Sequence, residues 1–180
     1  MKRILLVTMI LMAAYACQKK EDKPQYQFPV GGGPVQGVPI QGQDDTKMLK
    51  DALAKDPKNL EAWIKLGNTT MDSSRFSEAV EAYQKALELD PKNVDVRVDM
   101  GTCYRNIGKP DIAVKEYKKA LEINPNHLNG HKNLAIVLAY DLKDTAQAIR
   151  EFEKVLQIAP GSPDAGQIQQ ELQKLKALKK

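Results

Sequence analysis

The residues of this 180-residue chain best suited to metal binding are its two histidines, His127 and His131. Their four-residue spacing could place both imidazoles on one helix face, as in HExxH zinc sites. The sequence reads His-Leu-Asn-Gly-His, so the glutamate that acts as general base in such sites is missing. We interpret the histidines as packing or turn residues and predict no metal site.

The sequence also gives no support for a catalytic nucleophile or a phosphate-binding loop. Cys103 falls within a helical pattern, where a small buried residue is the ordinary interpretation. The glycines at 31–33 are not followed by the lysine and helix of a phosphate-binding loop. Because no nucleophile, base and orienting group form a constellation, we predict a protein that is not an enzyme. We expect no catalytic residues, no cofactor and no small-molecule substrate.

The charge balance argues against nucleic acid as a partner. The chain has 27 basic and 23 acidic residues, a net charge of +4. Nucleic-acid-binding proteins usually carry a concentrated basic face, which this small excess does not indicate. Lys2 and Arg3 supply two of the basic charges, and both lie in a segment with a different role.

Residues 1–17 have the pattern of an export signal. Lys2 and Arg3 precede an apolar run that extends from Ile4 to Ala16, with Thr8 as its one polar interruption. This run is shorter than the ~20 residues that a membrane-spanning helix requires. A positive start followed by a short apolar stretch predicts a secretory signal peptide.

Cys17 allows two forms of processing. A cysteine directly after a small residue resembles the bacterial lipobox, in which the cysteine is lipidated and becomes the new N-terminus. That resemblance implies a palmitate-bearing lipoprotein of the cell envelope, facing the periplasm, and Gln18 slightly favours the outer membrane. Ala14 and Ala16 also fit ordinary signal cleavage, which would leave a secreted or soluble periplasmic protein.

Residues 18–43 are predicted to be a flexible linker. Nine of these 26 residues are glycine or proline, above the share that marks low-complexity segments. Proline removes backbone donors and glycine loses the most entropy on ordering, so neither a helix nor a sheet is favoured.

The remaining residues, 44–180, contain an internal repeat. Pro57, Pro91, Pro125 and Pro160 recur at intervals of 34, 34 and 35 residues. This period predicts stacked helix–turn–helix units with boundaries near 60–93, 94–127 and 128–162. Unit three has one extra residue, which we expect in a turn over 141–144. The fold class is therefore predicted to be an all-α solenoid of about eight helices.

Small and large residues alternate at fixed positions in these units, as a tight ridge-and-groove fit requires. The small residues expected at helix crossings are Gly67, Gly101, Ala135, Ala79, Ala113 and Ala148. The large residues expected to fill the wider gaps are Trp63, Tyr83, Tyr104, Tyr117 and Phe152. Asn59 and Asn93 stand where each can cap the helix that follows.

With its phrases "ALELDPKN" and "ALEINPNH", this pattern resembles the tetratricopeptide repeat (TPR) family. The resemblance implies about three repeats with flanking helices. A half unit over 45–55 would precede them. A capping helix over 163–178 would follow, with Ile168, Leu172 and Leu175 on its apolar face.

The family resemblance also implies a binding site. In TPR proteins the first helix of each unit lines a concave groove that holds a peptide or helix of a partner protein. We call the matching positions here the groove face; they are Ile64, Asn68, Met71, Val98, Thr102, Arg105, Asn106, Lys132, Ile136 and Tyr140.

The predicted function is a non-enzymatic scaffold that holds a protein partner near a membrane. The stretch "VRVDMGTCYRNIGKPDIAVKEYKKALEINPNH" is similar to TPR proteins of c-type cytochrome maturation, which hold apocytochrome segments. One alternative is a lipoprotein of pilus, secretin or outer-membrane assembly. Another is a structural adaptor subunit of a membrane enzyme complex.

Overall fold

The computed structural model describes residues 41–178, with side chains from residue 45 onward. The predicted signal peptide, Cys17 and residues 18–40 of the predicted linker lie outside this range. The described residues form eight α-helices and one π-helical turn, consistent with the predicted all-α solenoid. The helices are α1 Gln41–Lys55, α2 Leu60–Asp72, α3 Phe76–Leu89, α4 Val94–Asn106, α5 Pro110–Ile123, α6 Leu128–Ile136, α7 Thr145–Ile158 and α8 Ala165–Leu178, and the π-helical turn is Val137–Asp141.

Each repeat unit is a pair of closely crossing helices, and in units one and two the helices cross at a glycine. Unit one pairs α2 with α3, unit two α4 with α5, and unit three α6 with α7. A Cβ added at Gly67 would lie 2.3 Å from Cε1 of Tyr83, and one added at Gly101 would lie 2.6 Å from Cε1 of Tyr117. Because real Cβ contacts are never so short, only glycine fits at these two crossings. This confirms the predicted alternation of small and large residues.

The first helix of each unit begins at a polar side chain that caps it. Asn59 and Asn93 accept hydrogen bonds from the backbone N–H three residues further on, at 3.0 and 3.1 Å. His127 does the same in unit three through Nδ1, at 3.0 Å from the nitrogen of Gly130. These bonds satisfy backbone donors that have no partner within the helix. Both predicted asparagine caps are confirmed.

Three different side chains make the same bond at one repeat position. Trp63 Nε1 donates to the carbonyl of Pro57, Arg97 Nη2 to that of Pro91, and His131 Nε2 to that of Pro125. Each distance is 2.9 Å, and each donor lies six residues after its proline. Each donor therefore ties the turn before a unit to that unit's first helix.

The extra residue of unit three lies in the helix, not in the turn where the sequence predicted it. The three-residue turns of units one and two each contain a residue with positive φ, Ser74 at 58° and Gly108 at 76°. Unit three retains that turn, with Lys143 at 59°. The extra residue is instead absorbed by the π-helical turn Val137–Asp141, which continues α6. A wider turn accepts the insertion without changing the connection to α7.

The two flanking helices cover the ends of the array. Helix α1 begins at Gln41, inside the segment predicted as linker, and it packs on α2. Helix α8 buries the predicted apolar face, with Ile168, Leu172 and Leu175 at most 6% exposed. Polar outer faces at both ends are what a repeat array needs to remain soluble.

Candidate functional site: the groove face

In unit one the groove face is open to solvent. Asn68 is exposed, and its Oδ1 accepts a hydrogen bond of 2.8 Å from the hydroxyl of Tyr83. Met71 is half-buried, with Sδ 3.8 Å from the same hydroxyl, and Ile64 packs beside it on the core of units one and two. The bond from Tyr83 orients the Asn68 amide so that its NH₂ group is left to donate outward. Among the described residues none accepts from it.

In unit two the groove face is a polar network built on Thr102. Its hydroxyl lies 3.2 Å from the Tyr117 hydroxyl and accepts a bond of 3.3 Å from Nδ2 of Asn133 in α6. Asn106 donates from Nδ2 to the carbonyl of Thr102, at 2.8 Å, and no described residue donates to its Oδ1, which belongs to an exposed side chain. Asn68 thus offers hydrogen-bond donors and Asn106 an acceptor. An extended peptide backbone requires both kinds of group.

Arg105 is held in place by unit three. Its Nε lies 2.6 Å from Oδ2 of Asp141, and both side chains remain about a third exposed or less. The guanidinium therefore borders the groove face with its charge partly neutralised.

Two of the predicted groove residues do not lie on an open surface. Val98 is 2% exposed and Ile136 is 5% exposed, so both belong to the core. Both are apolar, and apolar side chains are removed from water where neighbouring helices of an array pack together. The prediction of Val98 and Ile136 as partner-binding residues is corrected accordingly.

In unit three, Lys132 and Tyr140 of the groove face form hydrogen bonds with other residues of the same chain. Lys132 Nζ bonds Oδ2 of Asp164 at 2.7 Å, and the Tyr140 hydroxyl donates to Glu171 of α8. Helix α8 thus packs against unit three as the first helix of a further unit would. The part of the groove face left open consists of Ile64, Asn68, Met71, Thr102, Arg105 and Asn106.

Asp99 is a feature of this surface that the sequence pattern did not reveal. Burial raises the pKa of its carboxyl to about 6, and the charges of Asp95 and Asp72 raise it further, while His127 lowers it. No described residue donates a hydrogen bond to it. The signal in the sequence is that units one and three have Lys65 and Asn133 at this position.

Cys103, the one cysteine among the described residues, carries an unreactive thiol. Cys103 has no exposed surface, and burial raises its pKa to about 12, with Asp99 adding a smaller effect. A thiol of that pKa is almost wholly protonated at neutral pH, and only the thiolate is nucleophilic. This fits the predicted packing role. Across residues 41–178 no three His, Cys, Asp or Glu side chains come close enough together to hold a metal ion.

Residues 46–165 match the family model described as the TPR domain of cytochrome c-type biogenesis protein H. The chain belongs to this TPR family. The match spans most of the chain and includes all three units, so the predicted family is confirmed. A search of curated proteins finds no match.

Solved TPR structures share this fold. A crystal structure of MamA protein superposes with a TM-score of 0.67 at 26% identity, covering 76% of this chain and 75% of MamA. The first TPR domain of Spaghetti (RPAP3), bound to the HSP90 peptide SRMEEVD, gives a TM-score of 0.61 at 21% identity. That match covers 67% of this chain and 96% of the RPAP3 domain. The family and these neighbours support a protein-interaction scaffold. None of the helices in the described range is both long and apolar enough to span a bilayer.

Proposed function

We propose that this protein is an envelope-anchored scaffold that binds an extended segment of a partner protein on the open groove face. The observation that carries the proposal is the pair of exposed amides, Asn68 and Asn106, each fixed by one internal hydrogen bond and each left with an unused group. Such groups can bond the main chain of a peptide without selecting its sequence. Ile64 and Met71 beside them supply apolar surface for one of its side chains.

The family match favours a role in the assembly of c-type cytochromes. The matching model is that of a cytochrome c-type biogenesis protein, and the similar RPAP3 domain binds a peptide. The partner segment would then belong to an apocytochrome or to another assembly protein. In this proposal the lipid on Cys17 holds the domain at the periplasmic side of a membrane. The outer membrane is favoured by Gln18.

The test is affinity capture from solubilised membranes with the full-length chain. Cytochrome assembly proteins or apocytochromes should be recovered with the wild type and lost with the double variant Asn68→Ala/Asn106→Ala. Asn126→Ala is the matched control, because Asn126 is an exposed asparagine in the turn before α6, away from the groove face. Capture that survives the double variant would refute the groove. Recovery of secretin or pilus proteins would replace the cytochrome role with the alternative assembly role.

The anchor has its own test. Cells fed labelled palmitate should label the wild type and not Cys17→Ser. Equal labelling of the two, or no label on the wild type, would remove the lipid anchor and leave ordinary signal cleavage.

A further inference from the structure

A cleft of about 350 Å³ opens at the N-terminal end of the array, between α1 and the α2–α3 pair. Its lining is mainly apolar and includes Leu53, Trp63, Leu66 and Ala82, which belong to the small cluster through which α1 packs on unit one. None of the lining residues belongs to the groove face, so the cleft is a separate site. Its volume is that of a small ligand pocket and is large enough for one aromatic side chain.

Two small residues of unit one create this cleft. Thr70 stands where units two and three have Tyr104 and Leu138, and Ala82 stands where both have a glutamate. The Thr70 hydroxyl is used inside α2, where it lies 2.7 and 3.0 Å from the carbonyl oxygens four and three residues earlier. Unit one therefore lacks the large side chains that the other units have at these positions, and the hydroxyl in the lining is already bonded.

The charge at the rim of the cleft is also particular to unit one. Glu81 stands where units two and three have the basic residues Lys115 and Arg150. Glu78, the other carboxylate of the lining, stands where both of those units have an uncharged residue. Unit one thus combines open apolar space with two carboxylates at positions where units two and three have none.

The two carboxylates differ in their partners. Glu78 accepts from Nζ of Lys50 at 3.0 Å and from Nε of Arg75 at 2.7 Å. Glu81 is exposed, and among the described residues no side chain forms an ion pair or a hydrogen bond with it. Because Lys50 and Arg75 are both engaged by Glu78, the charge of Glu81 is left to attract a cation that the described residues do not supply.

We propose that this cleft is a second docking site, which takes an apolar side chain of a partner protein that has a lysine or arginine close to it in sequence. An aromatic side chain that leaves water for the apolar lining buries ~150–250 Å². The neighbouring cation then pairs with Glu81 at the rim, which makes the charges complementary. The cleft is partly open to solvent. This suits a side chain on a polypeptide better than a small molecule, because small ligands are usually buried over most of their surface.

The single tryptophan of the chain, Trp63, lines the cleft, so its fluorescence reports occupancy. The experiment titrates the full chain with three end-blocked peptides that lack tryptophan: Gly-Lys-Phe-Lys-Gly, Gly-Glu-Phe-Glu-Gly and Gly-Lys-Ala-Lys-Gly. The lysine–phenylalanine peptide should bind roughly fivefold more tightly than the glutamate peptide, and the difference should shrink at high salt because the rim is exposed. The alanine peptide should give no saturable change, because it has no side chain to fill the cleft.

Variants of Glu81 test the charge without disturbing the core, because this side chain is exposed. Glu81→Gln should abolish the preference for the lysine peptide, and Glu81→Lys, which restores the charge of units two and three, should reverse it. Glu122→Gln is the matched control: Glu122 is an exposed glutamate of α5 outside the lining, and its replacement should leave the preference unchanged. Thr70→Tyr restores the aromatic residue of unit two, fills the cleft and should remove the binding.

The groove variant Asn68→Ala/Asn106→Ala should bind the lysine–phenylalanine peptide as the wild type does, so this proposal and the proposed groove function can fail separately. Equal affinity for the lysine and glutamate peptides, a preference that survives Glu81→Lys, or binding that persists in a folded Thr70→Tyr variant would overturn the docking site. So would loss of binding in the groove variant, since the peptide would then lie in the groove. Binding of phenethylammonium as tight as that of the lysine peptide would make the occupant a small molecule and overturn the proposal as well.

Discussion

Arg97 and Glu116 form an ion pair, with Nη1 and Oε2 2.8 Å apart, at the position where unit one packs Trp63 on Ala82. Both charged side chains are largely covered, at 13% and 10% exposure. Unit three has His131 and Glu151 in their place, 2.7 Å apart. The large residue and its facing residue thus change together from unit to unit.

This pairing predicts an asymmetry between single and double variants. Among the described residues, Arg97→Met leaves the buried Glu116 with Lys119 as its one cation, and we expect a loss of about 3 kcal/mol in unfolding free energy. Arg97→Trp/Glu116→Ala recreates the unit-one arrangement and should be close to neutral. It also removes Nε of Arg97, a buried donor without a partner among the described atoms. Urea denaturation measures both. A double variant less stable than the single one would contradict this account.

Replacing glycine by alanine should have opposite effects on stability at a helix crossing and at an exposed helix position. Gly67→Ala and Gly101→Ala force a methyl group into a tyrosine ring and should each cost about 1–3 kcal/mol. Gly166→Ala, in α8, meets nothing within 4 Å and should stabilise the protein by about 0.5–1 kcal/mol through helix propensity. Thermal or urea unfolding of the three variants decides the point. The prediction fails if Gly67→Ala melts as the wild type does.

The turn residues with positive φ predict that adding a glycine and removing one change stability in opposite directions. Lys143 has φ of 59°, a conformation that costs a side-chain-bearing residue about 1–2 kcal/mol. Lys143→Gly should therefore raise the unfolding free energy by up to about 1 kcal/mol, after the entropic cost of glycine. Gly108→Ala, at φ of 76°, should lower it by a similar amount. The same sign for both changes would show that these turns are not strained.

The raised pKa of Asp99 predicts that replacing this residue stabilises the protein at neutral pH but not at low pH. Its pKa of about 6 in the folded protein lies above the usual value of 3.8, so the folded state favours the neutral carboxyl. Stability from this group is present below about pH 4 and is lost as the pH rises to about 6 and beyond. Asp99→Asn should therefore stabilise the protein by about 2 kcal/mol at pH 7 and have little effect at pH 3.5.

The control for that experiment is Asp56→Asn. Asp56 is exposed, and its Oδ1 accepts from the N–H of Lys58, a bond that an asparagine oxygen can also accept. Denaturation curves of both variants across pH 3.5–8 separate the two cases. A gain for Asp99→Asn that does not change with pH would rule out titration as its cause.

The parts of the fold that depend on contacts within one unit were predictable from the sequence. The 34-residue period gives the helix pairs, and the caps Asn59 and Asn93 follow from residue type and position alone. The glycine–tyrosine crossings follow as well, because a small residue must face a large one wherever two helices approach closely.

Contacts between units were harder to predict, because the period does not fix the rotation of one unit against the next. Val98 and Ile136 occupy groove positions in the sequence pattern, yet both side chains are buried in the folded array. Lys132 bonds Asp164, directly before α8, and Tyr140 bonds Glu171 within α8, so both also make contacts beyond their own unit. The insertion in unit three was visible from the sequence. Whether a turn or a helix absorbs it depends on the energy of a π-helical turn, which residue counting does not give.

The three side-chain hydrogen bonds to the carbonyls of Pro57, Pro91 and Pro125 affect how such a protein can gain or lose repeats through recombination. Each donor's facing residue lies within the donor's own unit: Arg97 with Glu116, His131 with Glu151. A deletion or duplication of a whole unit, with its ends in the turns between units, moves both partners together and still leaves a proline before the incoming helix. Neither Arg97 and Glu116 nor His131 and Glu151 are separated by such an event. Arg97 and His131, which stand where unit one has Trp63, are thus compatible with the gain or loss of a whole unit.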